Sequence, residues 1–264
     1  MNFTIQEVDQ PLFPDTLLPP ERRDLRGKIL IIGGSSAGFA GVNYAYTKAL
    51  ALGAGEVKVL LPKYLEKLLP QSPDFVFAGD PKALGLSTAA QPDLQSLTNW
   101  ADGILLIGDF GKNSQTQQLL SHFLSQNQKP LLATRDAIDL TLSDLPLEDK
   151  NLCLFLTFPQ LQKLLKTALY PKILTHSTPL PQIADALHKF TITYPCRLAT
   201  FANPNFLVAA SGQVIATPLY DSQSIPLTKY NPLTLWAGEP AVKALLLSLW
   251  SPKPPIASIA ESIL

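Results

Sequence analysis

The sequence predicts an α/β protein: a three-layer α/β/α sandwich with a mostly parallel central sheet and an antiparallel hairpin at the sheet edge. Three observations carry this. Short apolar runs ended by glycine or proline alternate with segments of helical spacing, as buried parallel strands alternate with covering helices. From Cys196 the texture changes to short apolar runs without helices, and the Ala-Ser-Gly turn at residues 210–212 reads as a hairpin. No Gly/Ser linker, repeat or low-complexity tract divides the 264 residues, so one domain spans 1–264.

Each element has its own signal. Residues 1–26 hold four prolines and no clear period, which predicts an extended arm packed on the domain or on a neighbouring subunit. Residues 27–62, "GKILIIGGSSAGFAGVNYAYTKALALGAGEVKVLLP", read as strand, glycine turn, helix and strand. "DFVFAG" from Asp74 and "DGILLIGDFG" from Asp102 are further buried strands. Leu119, Leu120, Phe123 and Leu124 lie at helical spacing behind an N-cap at Asn113 or Ser114. "KPLLAT" and "NLCLFLT" read as strands, and "PQLQKLLKTAL" as a helix opened by Pro159. "LPQIADALHKF" is a second helix of this region. "CRLATF", "NFLVAA" and "QVIATPL" finish the sheet, "EPAVKALLLSLW" is an apolar helix, and "PPIASIAESIL" is a short last one.

Composition narrows the function. Twenty-one basic residues balance twenty-one acidic ones, so nothing in the charge points to nucleic acid or an anionic membrane. No run of eighteen apolar residues predicts a membrane span, and the N-terminus lacks the pattern of a secretory signal. Cys153 and Cys196 are too few and too distant for a disulfide framework or a metal knuckle. The expectation is a cytoplasmic protein with reduced thiols. His122, His176 and His188 are isolated, and no metal site is expected.

Three motifs bear on the glycine turn at residues 33–38. The dinucleotide fingerprint requires G-x-G-x-x-G and an acid ending the next strand, but Gly33-Gly34-Ser35-Ser36-Ala37-Gly38 and "VLLPK" supply neither. A Walker loop needs a lysine after its last glycine, where Phe39 stands. Gly34-Ser35-Ser36-Ala37-Gly38 does match the G-x-S-x-G elbow of α/β-hydrolases. That elbow belongs mid-sheet after several strands, whereas this turn ends the first one, so a tight turn into a packed helix is the expected reading.

The order of segments resembles the ADP/ATP-dependent NAD(P)H-hydrate dehydratases, a branch of the ribokinase-like superfamily. The resemblance rests on "IIGGSSAGFAGVNYAYTKALALGAGEVKVLLP", on "ADGILLIGDFGKNSQTQQLLSHFL", on "KPLLATRDAIDL" and on "LTFPQLQKLL", and covers roughly residues 20–250. It implies a ribokinase-like sandwich and a site for ADP or ATP beside NAD(P)H hydrate. Such an enzyme phosphorylates the 6-hydroxyl of the hydrate and eliminates phosphate, returning NADH or NADPH. The resemblance also implies a homo-oligomer, for which the arm offers Leu12, Phe13, Leu17 and Leu18.

Site residues follow from the same resemblance. The G-T-G-D loop of the family falls at Trp236-Ala237-Gly238-Glu239, which makes Glu239 the catalytic base and Gly238 a nucleotide-binding position. Gly41, Gly111 and Asp136 fall at substrate-binding positions. Other positions depart from the pattern. Trp236 replaces a glycine that must approach phosphate, and Pro240 removes an N–H donor. Phe158 and Pro159 stand at a substrate-binding histidine, Phe201 and Ala202 at a Lys-Gly pair, and Thr134 at the first aspartate of D-A-D-A-L-N. Asp109 puts an acid where phosphates would approach, which is unfavourable without a screening cation. A Pro and a Glu at this point are also ordinary helix-start chemistry. Two expectations result: a weakly active dehydratase, or a non-catalytic homologue that binds nucleotide or serves in assembly.

Overall fold

The structure is a computed structural model. It describes residues 3–202, 204–221, 223–230, 232–251 and 254–264, except the side chains of Thr16, Leu17, Pro232 and Leu235. Leu17, one of the apolar arm positions, therefore has its side chain outside the described residues.

The chain begins with β1 (Thr4–Ile5), followed by β2 (Lys28–Gly33), α1 (Ala40–Ala51), β3 (Glu56–Pro62) and β4 (Phe75–Ala78). It continues through α2 (Gln91–Trp100), β5 (Gly103–Gly108), α3 (Ser114–Gln126), β6 (Leu131–Thr134), α4 (Asp136–Thr141) and β7 (Leu152–Leu156). Next come α5 (Phe158–Thr167), α6 (Leu180–Thr193), β8 (Arg197–Ala202), β9 (Asn205–Ala210) and β10 (Gln213–Pro218). The chain ends with α7 (Pro232–Ala237), α8 (Glu239–Trp250) and α9 (Pro255–Ala260).

Among the described residues the strands form one sheet in the order β1-β10-β9-β8-β7-β6-β5-β2-β3-β4. The run from β8 to β4 is parallel, and β8, β9 and β10 pair antiparallel. The predicted mixed sheet with a late hairpin is thus observed. The strand ending at Gly33 lies inside it, between β3 and β5.

Strand alternation sorts the core into two layers. Leu30, Ile32, Leu106 and Leu154 face α2 to α6, where Leu97, Leu120, Leu161 and Leu187 meet them. Ile29, Ile31, Leu105 and Cys153 face α1, α8 and α9, where Val42, Leu245 and Ile259 meet them. Helix α8 buries residues on nearly every side, which is why its sequence reads apolar throughout. The caps are also sequence-encoded. Asn113 accepts from the N–H groups of Gln115 and Thr116, and Thr157 forms a capping box with Gln160. Among the described residues no helix is long and apolar enough to cross a membrane.

The arm packs on its own domain. β1 lies parallel to β10, a short strand that the unperiodic sequence did not announce. Gln6 is fully buried and donates to the carbonyl of Ala260, and the Phe13 N–H donates 2.8 Å to Glu261 Oε1. Replacing Gln6 by Ala is expected to cost about 1–2 kcal/mol, because it deletes a buried hydrogen bond and leaves a carbonyl unpaired. Urea denaturation of the two proteins checks this; equal midpoints would show that the anchor adds nothing.

Candidate functional site

The strand order reverses between β2 and β5. From β2 the chain works outward through β3 and β4, then returns to the other side of β2 and proceeds through β5 to β8. The loops leaving the carboxyl ends of β2 and β5 therefore diverge, and in sheets of this kind the crevice between them is the usual ligand site. Here the loops are residues 33–40 and 108–113.

The first loop uses its own donors. Gly34 N–H donates to the carbonyl of Gly108 at 2.9 Å, tying the two strand ends together. Ser35 and Gly38 exchange hydrogen bonds of 2.9 and 3.1 Å, and Ser36 N–H donates to Leu84 at 2.7 Å. A phosphate cradle needs such N–H groups free. The G-x-S-x-G match is a closed reverse turn. His188 Nδ1 is paired with the Gly212 carbonyl, and the His176 ring packs on Phe158, so both are engaged elsewhere.

The second loop brings acids into the crevice. Asp109 accepts the N–H of Gly41, in the first turn of α1, at 2.6 Å and pairs with Arg135 at 2.5 Å. Asp136 accepts the N–H groups of Asp109 and Gly111 at 2.7 and 3.2 Å. Three of the predicted substrate-binding positions, Gly41, Gly111 and Asp136, are thus brought together. Their donors and acceptor serve one another and Asp109. A carboxylate sits at the positive end of α1, where an external anion would otherwise be favoured.

The start of α8 lies beside this cluster. Gly238 has φ +92°, and a Cβ there would stand 2.6 Å from Ile107 Cδ1, so glycine is required for both backbone and packing reasons. Glu239 is 7% exposed. Its carboxylate accepts from Tyr44 at 2.6 Å, Lys229 at 3.2 Å and Tyr230 at 3.4 Å, and pairs with Lys48 at 3.3 Å. Burial pushes the Glu239 pKa up, but the Tyr44 hydroxyl and the Lys229 and Lys48 ammoniums together outweigh it and hold the carboxyl below its ordinary value. Burial, then the Glu239 carboxylate, pushes Tyr44 up to about 12 and raises Tyr230 as well.

An aromatic-lined pocket lies one step along the sheet. A cavity of about 230 Å³ sits at the carboxyl ends of β6, β7 and β8, beneath Trp236 of α7. Phe155, Phe158, Phe201, Phe206 and His176 form its walls, and Thr134 and Thr200 line it as well. In the sequence Phe158, Phe201 and Trp236 register only as departures from the pattern of the family that the chain resembles. The fold gathers all three aromatic replacements around one cavity. His176 was read as isolated, and nothing near it in sequence signals its place in this wall.

No family model matches the chain, and no curated protein matches it in sequence. Solved structures do. A ribokinase-like superfamily protein from Enterococcus faecalis V583 aligns over 98% of this chain and 84% of its own, at 16% identity and a TM-score of 0.69. The ADP/ATP-dependent NAD(P)H-hydrate dehydratase from Bacillus subtilis, co-crystallised with ATP and Mg²⁺, aligns over 96% and 86%, at 12% identity and a TM-score of 0.61. Phosphomethylpyrimidine kinase from Clostridium difficile 630 aligns over 89% and 97%, at 7% identity and a TM-score of 0.52. At such identities the likeness is one of fold, and the fold of this chain is ribokinase-like.

Proposed function

We propose that this chain is a non-catalytic homologue of the NAD(P)H-hydrate dehydratases, one that keeps the ribokinase-like frame as a small-molecule-binding protein. The engagement of Glu239 carries the reading. A general base must offer a lone pair to the substrate hydroxyl and titrate near the working pH. The Glu239 carboxylate is surrounded by two tyrosine hydroxyls and two ammoniums, and its pKa is lowered. It works as a tie between α1, α8 and the segment before α7.

The crevice residues do not fit the polyphosphate of ADP or ATP. The N–H groups of Gly41, Asp109 and Gly111 already serve carboxylates, and Arg135 is paired with Asp109. A phosphate entering there would face the carboxylates of Asp109 and Asp136, which is unfavourable.

The test supplies NADH hydrate with ADP or ATP and follows the return of NADH absorbance. The expected result is no return above the spontaneous rate, in wild type and in Glu239→Gln alike. Turnover by wild type that disappears in Glu239→Gln would overturn the proposal in favour of a dehydratase.

A further inference from the structure

We infer that α7 is a strap latched across the crevice through Trp236, Arg135, Asp109 and Gly41, and that this latch couples α7 to the first turn of α1. The device goes beyond the binding role proposed above and does not depend on what binds.

The base of the strap is fixed. Before α7, Lys229 and Tyr230 donate to Glu239 at 3.2 and 3.4 Å, and Tyr230 is buried. After α7, Gly238 takes φ +92° and leads into Glu239 at the start of α8. Both ends of the strap therefore meet at one buried carboxylate. Between them α7 packs chiefly on α8. It shows Leu233 and Trp236 to solvent, 78% and 38% exposed. A short helix that buries so little apolar surface belongs to the readily opened part of a fold.

The tip is held from across the crevice. The Arg135 guanidinium, just before α4, stands 5.4 Å from the centroid of the Trp236 ring. It is also paired with Asp109, which accepts the N–H of Gly41 at 2.6 Å. A guanidinium near an aromatic ring and drawn partly out of water is attracted to it, and the largely buried pair with Asp109 fixes where the cation stands. Trp236 and Asp109, both departures from the pattern of the family that the chain resembles, thus meet on one arginine. α7, the β6–α4 junction, the loop after β5 and the start of α1 are joined end to end.

The two middle members are held in strained backbone. Arg135 has φ +58° and ψ −142°, and Asp109 has φ +60°. Residues with side chains seldom adopt such values, least of all Arg135, whose angles lie close to a region that glycine occupies almost alone. They persist where surrounding contacts hold them. Release of those contacts lets both residues relax, so the closed latch carries a cost that opening returns. A fastening with two such states switches rather than bends.

Amide hydrogen exchange of the full chain, read by mass spectrometry on peptides from α7, β2 and β5, tests the latch. Arg135→Gly removes the cation and suits the backbone. Exchange in α7 is expected to quicken about fivefold, the factor expected of one cation–π contact, with β2 and β5 unchanged. Asp109→Asn tolerates the positive φ and keeps an acceptor for Gly41, but it frees Arg135 to move. There α7 is expected to exchange about twofold faster, as suits the loss of one ion pair. In a Trp236→Ala background neither substitution should quicken α7 further. Wild-type exchange in α7 in either single variant would overturn the inference. So would a rise shared equally by α7, β2 and β5, which would make the pair a support of the whole fold. A rise that persists without Trp236 would break the relay at Arg135 and overturn it as well. The NADH-return assay bears on none of these outcomes, so the latch and the non-catalytic reading fail separately.

Discussion

Gly108→Ala is expected to destabilise the protein by about 3–5 kcal/mol, a large share of the roughly 5–15 kcal/mol that a domain holds. Gly108 ends β5 with φ +99°, a region that costs an L-residue about 1–2 kcal/mol. Space is the second term. A Cβ on Gly108 would stand 2.1 Å from Asp136 Oδ1 and 3.2 Å from Arg135 Cβ. Asp136 would have to withdraw, and the N–H groups of Asp109 and Gly111 would lose their acceptor. Hydrogen bonds to a charged acceptor contribute about 1.5–3 kcal/mol each. Urea denaturation with an unchanged m-value measures the loss. A loss under about 1 kcal/mol would mean that Asp136 does not organise the crevice.

Glu239→Ala is expected to cost about 2–3 kcal/mol. Breaking a buried ion pair on one side typically costs about 3–5 kcal/mol. The lower figure applies because Lys229 is 68% exposed and Lys48 34% exposed at the side chain, so both can turn to water. Tyr44 and Tyr230 would lose their acceptor. The effect should depend on pH in a defined direction. The folded-state pKa of Glu239 lies below its ordinary 4.5, so the unfolded chain binds the proton first as pH falls. Its contribution is complete above about 4.5 and is lost as pH drops through the folded value. Wild type and Glu239→Ala should therefore converge in stability in acid. Tyr44 has the opposite sign. Its folded pKa is raised from 10.0 to about 12, so wild type should lose stability as pH rises across that interval. That slope, on the order of 1 kcal/mol after allowance for solvent screening, should flatten in Glu239→Ala. A variant that titrates like wild type at both ends would remove Glu239 from the account.

The layout of this fold was legible wherever one short stretch carries its own period. The 27–62 unit, the capped α3, the Pro159-led α5 and the hairpin after Cys196 all read directly from spacing and turn residues. Helix α2 did not, because only Leu94, Leu97 and Thr98 are buried on its ten residues, too few to show a period. β1 did not either, since two exposed residues have no period to show.

The candidate site was legible as residues and illegible as partnerships. Glu239, Gly238, Gly41, Gly111 and Asp136 could be placed by resemblance, and Asp109 could be recognised as an acid in an awkward position. What each one bonds depends on strand order. Tyr44 lies 195 residues from Glu239, and Asp109 lies 68 from Gly41. Tyr44 and Lys48, one turn apart on α1, look like an ordinary solvated face until α8 is laid against it.

The pairing of β1 with β10 has a consequence for synthesis. The partners Thr4 and Ile215 lie about 210 residues apart. At roughly 5–20 residues per second on the ribosome, the arm waits on the order of 10–40 s for its neighbour to be made. Until then the Gln6 backbone N–H lacks the Ala216 carbonyl that it reaches in the folded chain, and Ile5 and Phe13 are displayed to whatever else is in solution. Long-range closure of this kind comes late in folding. A nascent chain halted before β10 would carry the arm as a loose, protease-sensitive tail, and the full-length chain would draw it in.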